Sequence, residues 1–577
     1  MRQEAGMRAW VGPVARDAGT RVSCTSREAG TVHILATADD GVPQVRLEVD
    51  LADAVSYWQP GLNTTRSLPP DWMEASVTSL VEGAPLGALY NAAGEVLLGW
   101  AAAEPVVELS VRYGVSEECN TFVIDVAPVL PLDHELELLV RWDGQQVATV
   151  VRESAAWMSD QCPGAPLTPL PMTREPVYST WYAFNQDIDH ASVVSAASGA
   201  AAAGFGSLFI DDGWQQFGHG RGYQGCGDWL PDRRKFTDLA DTVAKVHDEG
   251  LAVALWVAPL LLGAEAEVFQ GLNRYAPLRS GPLNCAVLDP RFREVREHVV
   301  GTCVRLVRDY GADLLKVDFL DQAMLYRAHP SGGDVDDVGQ AMALMLEGVR
   351  TGLDALGFSR VPLEFRQPYV SPAISRFGEI LRANDCPADS LANRVSTIDA
   401  RLVSVGQVVH SDPLMWGTSG GAVAVAQQLY ASWFAVPQVS MRLDELPDDQ
   451  HLALTGLLAL WRDLVDVSLF GHLTVTGAER GYETVRAVDR NAGLSVLALY
   501  SPVVADVPSD ATPHLTVLNA TAADTVILRL QRHVVDGVIR CPSGKQIGVV
   551  APCGPGLVEL MVPPFGSLFL ETVPASA

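Results

Sequence analysis

The chain has 577 residues, more than one hydrophobic core usually holds, so roughly two to four domains are expected. A hydrophobic fraction of 48% and an aromatic fraction of 7% suit a folded globular protein. With 41 Lys and Arg against 69 Asp and Glu, the formal charge of −28 argues against nucleic acid or an anionic membrane as partner, because both need clustered cations, and favours a neutral or cationic small ligand.

The opening "MRQEAGMRAWVGPVARDAG" lacks the long apolar stretch of a signal peptide, and no run of about 18 apolar residues follows anywhere, so a soluble cytoplasmic protein with no membrane partner is expected. Nine cysteines, at 24, 119, 162, 226, 285, 303, 386, 541 and 553, form no Cys-x-x-Cys pair, which argues against a disulfide framework or a zinc knuckle. No phosphate loop or dinucleotide fingerprint is present, so no cofactor is expected.

Residues 1–165 carry short alternating segments such as "TVHILATA", "VRLEVDL" and "ELELLVRW", broken by turn residues; period-two alternation means one wet and one buried face, and predicts an N-terminal β-sandwich. The proline-rich "CPGAPLTPLPMTREP" reads as a linker. Residues 166–475 then alternate apolar strand, polar tip and amphipathic helix. Strands are predicted at "VYSTWYAF", "GSLFIDD", "LAVALWVAP", "ADLLKVDF", "VPLEFRQP", "EILRAND", "VGQVVHSD" and "FAVPQVSM", although Pro437 interrupts the last. Helices between them include one with Thr237 as N-cap and one with Asp289 as N-cap and Pro290 at its first position. Eight such units predict a (β/α)8 TIM barrel, and residues 476–577 return to short alternating strands, a C-terminal antiparallel β-domain.

Three polar clusters close apolar runs of this barrel: Asp211-Asp212-Gly213-Trp214, Lys316-Val317-Asp318 and Arg382-Ala383-Asn384-Asp385. A buried ionised carboxylate costs several kcal/mol unless something is bound or paired there, so three such clusters in order predict one shared site at the carboxyl ends of the strands. Lys316 points to the same face as Asp318 and is expected to keep it ionised.

Taken together, "FIDDGWQ", "GDWLPDRRKF", "VHDEGLAVALWVAP", "LLKVDF", "LRANDCP" and "VVHSDPLMW" resemble the α-galactosidases of glycoside hydrolase family 36, with raffinose-synthase-like enzymes nearby. The resemblance implies a retaining glycosidase acting on an oligosaccharide or glycoside, with Asp318 as nucleophile and Asp385 as general acid and base, facing each other at roughly 5 to 5.5 Å. It further implies that Asp211, Asp212 and Lys316 contact the glycone. Trp256 offers an apolar wall, and Trp214, Asp228 and Trp229 are expected to shape the subsite. Arg366 and Arg382 are expected to donate planar forks to hydroxyl or carboxylate oxygens, His410 and Asp412 to close strand 7, and Trp58 to reach over the barrel from the first domain. The chain departs from the family at the strand 5 end, "LEFRQPYVSP", where many members are rich in Cys and Gly, and at Asn384, where Ser or Thr is common; galactose is the glycone the resemblance implies.

Four other readings stay open. Transglycosylation passes through the same covalent intermediate, and an α-glycosidase of different glycone specificity shares the same residues. A metal-dependent barrel enzyme would use Asp211, Asp318 and His410 as ligands, but Lys316 beside Asp318 opposes a cation. A non-catalytic carbohydrate-binding protein would not need both carboxylates. Each candidate also has a structural reading: Asp211 or Asp212 as turn caps, Lys316 with Asp318 as an ion pair, the tryptophans as packing, His410 as a satisfied buried histidine. A homo-oligomer is neither required nor excluded by the sequence.

Overall fold

The structure, a computed structural model, describes residues 14–15, 20–28, 30–60, 66–357 and 360–574. At its centre eight parallel strands close a barrel in chain order: β1 (Val177–Ser179), β2 (Ser207–Ile210), β3 (Ala252–Val257), β4 (Leu314–Val317), β5 (Leu363–Arg366), β6 (Ile380–Arg382), β7 (Val408–Leu414) and β8 (Val436–Val439), with β8 pairing back to β1. All but the first residue of β3 are buried along these strands. That double burial is why the sequence shows apolar runs here instead of alternation. Each fully buried Val, Leu or Ile side chain contributes about 1.5–3 kcal/mol.

Two strand expectations change in detail. The first strand stops at Ser179, and Trp181–Phe184 forms a helical turn, because the Ser179 hydroxyl accepts from the Trp181 N–H and the Thr180 hydroxyl is taken by the Asp211 N–H. Pro437 is accommodated within β8, since the ladder partners on either side are Val436, Gln438 and Val439 and its missing N–H is not called on.

The helix starts also shift. Asp238, not Thr237, caps Leu239–Asp248 by accepting from the N–H groups of Ala240 and Asp241. Asp289 does not cap the helix, which begins at Arg293: its carboxylate accepts from the Arg291 backbone N–H at 3.0 Å and from the buried Arg291 guanidinium at 2.9–3.2 Å. Asp389 caps Ser390–Val403 as expected of an Asp at that position.

Before the barrel, among the described residues, a five-stranded and a six-stranded antiparallel sheet pack face to face around Ile34, Leu47, Leu98, Trp100, Phe122 and Ile124. A helix, Val147–Asp160, follows them and packs on the barrel helix Ser390–Val403. After the barrel a seven-stranded and a three-stranded sheet enclose a smaller core. The first strand of that larger sheet, His472–Thr476, begins inside the stretch the sequence assigned to the barrel, which ends at residue 475.

One buried cluster ties the three parts together. Arg66 pairs with Asp399 on helix Ser390–Val403, Tyr482 donates to the same carboxylate at 2.5 Å, and the Trp58 indole N–H donates to the Tyr482 hydroxyl at 2.9 Å. Trp58 is fully buried there beneath the Arg66 guanidinium, so it joins the domains and does not reach over the barrel mouth. A ring with an N–H finds its partner wherever one is buried with it, and sequence does not show which.

Candidate active site

Strand β2 ends directly before Asp211 and Asp212, both 2% exposed. Asp211 Oδ2 accepts from Lys316 Nζ at 2.5 Å and from Ser179 Oγ at 3.2 Å, while Oδ1 accepts from the Asp212 N–H. Asp212 takes Gln186 Nε2 at 2.8 Å and Gln215 Nε2 at 2.6 Å. Those donors are neutral, so burial prevails, and with Asp211 and Asp318 nearby it pushes the Asp212 carboxyl up to about 7. Gly213 makes the turn possible: its φ is +124°, and a Cβ there would lie 2.6 Å from Gln186 Cα. Lysine 316 therefore serves Asp211 as its direct partner and acts on Asp318 only through space.

Asp318 follows β4 immediately and is 7% exposed. Its Oδ1 accepts from Arg366 Nε and from the Phe319 N–H at 2.7 Å; Oδ2 accepts from the Trp256 indole N–H at 3.0 Å. Burial alone would favour the neutral acid, but Arg366, Arg382 and Lys316 outweigh it and hold this carboxyl well below the usual range. Arg366, on β5, is thus committed to carboxylates: its Nη2 also approaches Asp321 at 3.4 Å, and its Nη1 donates to Asn384 Oδ1 at 3.2 Å.

Asp385 lies three residues beyond the end of β6, its side chain 51% exposed. Arg382 Nη1 is shared between Asp385 Oδ1 at 2.9 Å and Asp412 Oδ1 at 2.6 Å. Asp412 sits where the β7–β8 register shifts, a bulge that re-aims side chains, and also accepts from the Tyr182 hydroxyl and the Cys386 N–H. Burial pushes Asp412 up to about 7; Arg382 opposes that rise and Asp385 adds to it.

The structure thus brings Asp211, Asp212, Trp256, Lys316, Asp318, Arg366, Arg382, Asp385 and Asp412 into one connected set at the carboxyl ends of β2 to β7. Four other expected residues stand apart from it. Trp214 is fully buried, its N–H spent on the Trp256 carbonyl, and Trp229 is buried against it with ring centroids 6.3 Å apart; neither presents a face to a sugar. The Asp228 carboxylate accepts from the N–H groups of Glu267 and Val268 and so ties two loops together. His410 lies inside the barrel, Nε2 on the Thr173 carbonyl and Nδ1 2.8 Å from Glu364. With both nitrogens engaged, His410 is no ligand, and no group of three or more His, Cys, Asp or Glu among the described residues is arranged to hold a metal ion.

Several functional groups escaped the sequence reading. Tyr182, Gln186 and Gln215 bind the site carboxylates, and Lys235 Nζ pins the loop after β2 by donating to the carbonyls of Gln186, Gly213 and Gly218. That loop carries Tyr223, whose ring packs edge-on at 5.7 Å from Phe319 and tilted at 6.4 Å from Trp256, walling the Asp318 side of the site. The signal for Tyr182 and Gln186 was their place just beyond β1, where strand ends carry function.

Residues 171–346 match the Melibiase family model. The Melibiase segment contains Asp211, Asp212, Lys316 and Asp318; Arg366, Arg382, Asp385 and Asp412 lie beyond it. Among curated relatives, the chain is 26% identical over 301 residues to α-galactosidase Mel36A of Lactobacillus acidophilus, covering 50% of this chain and 36% of that protein. It is 27% identical over 158 residues to the bifunctional α-galactosidase/sucrose kinase of Mediterraneibacter gnavus, covering 26% of this chain but 16% of that one. The chain thus spans well under two thirds of these relatives. In fold it is similar to the glycoside hydrolase family 36 α-galactosidase AgaA of Geobacillus stearothermophilus solved with raffinose, with a TM-score of 0.64 at 15% identity over 96% of this chain and 81% of that one. The Thermus thermophilus α-galactosidase solved with p-nitrophenyl α-D-galactopyranoside gives a TM-score of 0.58 at 17% identity over 82% and 98%. Central barrel and flanking β-sheets are common to this chain and the family 36 structures.

Proposed function

We propose that the chain is a retaining α-glycosidase that hydrolyses terminal α-galactosyl linkages of small oligosaccharides or glycosides. The observation that carries the reading is the contrast between two carboxylates at one barrel mouth. Asp318 is buried and held ionised by three cations, while Asp385 is half-exposed where a leaving group and water can reach it. A retaining mechanism asks for that division: a charged nucleophile below the anomeric carbon and a proton carrier facing the departing oxygen. Arg366 links the two, bonding Asp318 directly and Asn384, the residue before Asp385.

Asp385 protonates the leaving oxygen as Asp318 attacks the anomeric carbon, giving a β-linked glycosyl ester. Asp385 then takes a proton from the water that displaces the ester. Asp211, Asp212 and Lys316 supply acceptors and a donor for the glycone hydroxyls, and galactose follows from the relatives, which carry the name α-galactosidase.

The test is a panel of aryl α-glycosides with proton NMR of the first-formed sugar. Turnover of the α-galactoside with the α-anomer appearing first supports the reading, as does loss of turnover in a folded Asp318→Asn variant. A first-formed β-anomer, or undiminished turnover without Asp318, overturns it.

A further inference from the structure

We infer that Arg366 is a positioning residue that fixes which oxygen of Asp318 attacks and speeds release of the glycosyl ester, an inference resting on the glycosidase reading above. A carboxylate offers about four lone-pair sites, two on each oxygen. On Asp318, Oδ1 has both filled, by Arg366 Nε and the Phe319 N–H, whereas Oδ2 accepts one neutral donor, the Trp256 indole. Oδ2 alone keeps a lone pair for the anomeric carbon.

Nothing in this arrangement lets Arg366 swing away. Its Nη1 is tied to the Gln367 carbonyl at 2.7 Å and to Asn384, its Nη2 faces Asp321, and its guanidinium lies over the rings of Phe319 and Tyr369 at 5.3 and 5.8 Å. It is buried and permanently charged, so its donors are aimed at Asp318 before substrate arrives.

The consequence differs between the two half-reactions. In the first, an Oδ2 pair forms the bond to the anomeric carbon, the bond to the leaving oxygen breaks, and that oxygen receives the Asp385 proton. In the second, water forms its bond to the anomeric carbon and gives a proton to Asp385, while the ester bond breaks and its electron pair returns to Asp318. Arg366 stabilises the full carboxylate most, the partly charged transition states less and the neutral ester least. It therefore favours expulsion of Asp318 in the second half-reaction and gives no benefit to the first, whose reactant carboxylate it stabilises more than the transition state.

Arg366→Gln tests this against Arg366→Lys, with thermal unfolding of both to establish folding. On an aryl α-galactoside with a good leaving group, the Gln variant should lose about tenfold or more in kcat, with KM falling in parallel and kcat/KM changing little, since one charged hydrogen bond is worth about 1.5–3 kcal/mol. A burst of aryl alcohol matching the enzyme concentration should appear, and the Lys variant should restore part of kcat and shrink the burst. Equal losses in kcat and kcat/KM without a burst overturn the inference, as does a Lys variant no better than Gln. If Gln fails to fold, the Lys variant alone decides: a smaller kcat with lowered KM supports the inference, and a raised KM overturns it. Failure of the wild-type protein on every aryl α-glycoside would instead remove the glycosidase reading.

Discussion

Lys316 Nζ lies 2.5 Å from Asp211 Oδ2, so the lysine of β4 pairs directly with the acid that follows β2, 105 residues earlier, and reaches Asp318, two positions on, only through space. Both groups are buried, 6% and 3% exposed at the side chain. Removing one partner of such a pair strands the other charge, at a cost of about 3–5 kcal/mol, whereas removing both costs much less. Lys316→Met should lower the urea midpoint strongly, and adding Asp211→Asn should recover most of the loss. A double variant as unstable as the sum of the singles would mean that the two do not act as a pair.

Asp212 makes the stability of the protein depend on pH in a direction unusual for an aspartate. Its folded value near 7 exceeds the ordinary value of about 3.9, so between those limits the folded chain holds a proton that the unfolded chain has released. Its contribution to stability is complete below about pH 4 and is lost as the pH rises through 7. Urea unfolding at pH 5 and pH 8 should show a smaller decline for Asp212→Asn than for the wild-type chain. An equal decline in both would place the titration elsewhere.

Which parts of this site could be read from sequence follows from how far apart the partners lie. Strand ends were legible because apolar runs stop where Asp211, Asp318 and Arg382 stand, and double burial makes other places on these strands costly for polar groups. Pairings were not: Arg366 meets Asp318 across 48 residues, and Arg382 meets Asp412 across 30, contacts that only barrel closure creates. Tryptophan was the least legible residue type, because Trp58, Trp214 and Trp256 are equally apolar in sequence yet bond to Tyr482, to a backbone carbonyl and to Asp318 respectively. Even the weakest strand signal, around Pro437, proved to be structural, since its neighbours carry the ladder.

The joint formed by Trp58, Arg66, Asp399 and Tyr482 separates stability from catalysis. Trp58→Phe removes the bond to Tyr482 and leaves the buried hydroxyl with its bond to Asp399 alone, a loss of about 1 kcal/mol. Calorimetry should register a lowered Tm while kcat and KM on an aryl α-galactoside stay unchanged. A raised KM would return Trp58 to the substrate site.

Asp385 should reveal its role through the leaving group. In Asp385→Ala a substrate with a strongly acidic phenol needs no proton to depart, so its glycosylation should be nearly as fast as in the wild-type chain. An alkyl or sugar leaving group should slow by about 10²–10⁴-fold, the usual worth of a positioned proton donor. Deglycosylation then limits turnover, because water has lost its base, and azide, which needs none, should restore the rate. Azide attacks the β-linked ester from the opposite face and so must give the α-glycosyl azide, whereas an Asp318→Gly variant with azide, displacing the leaving group directly, must give the β-product. Mass spectrometry and NMR of the two azides distinguish the roles without kinetics; the same anomer from both variants would show that the two carboxylates do not divide the work between nucleophile and acid.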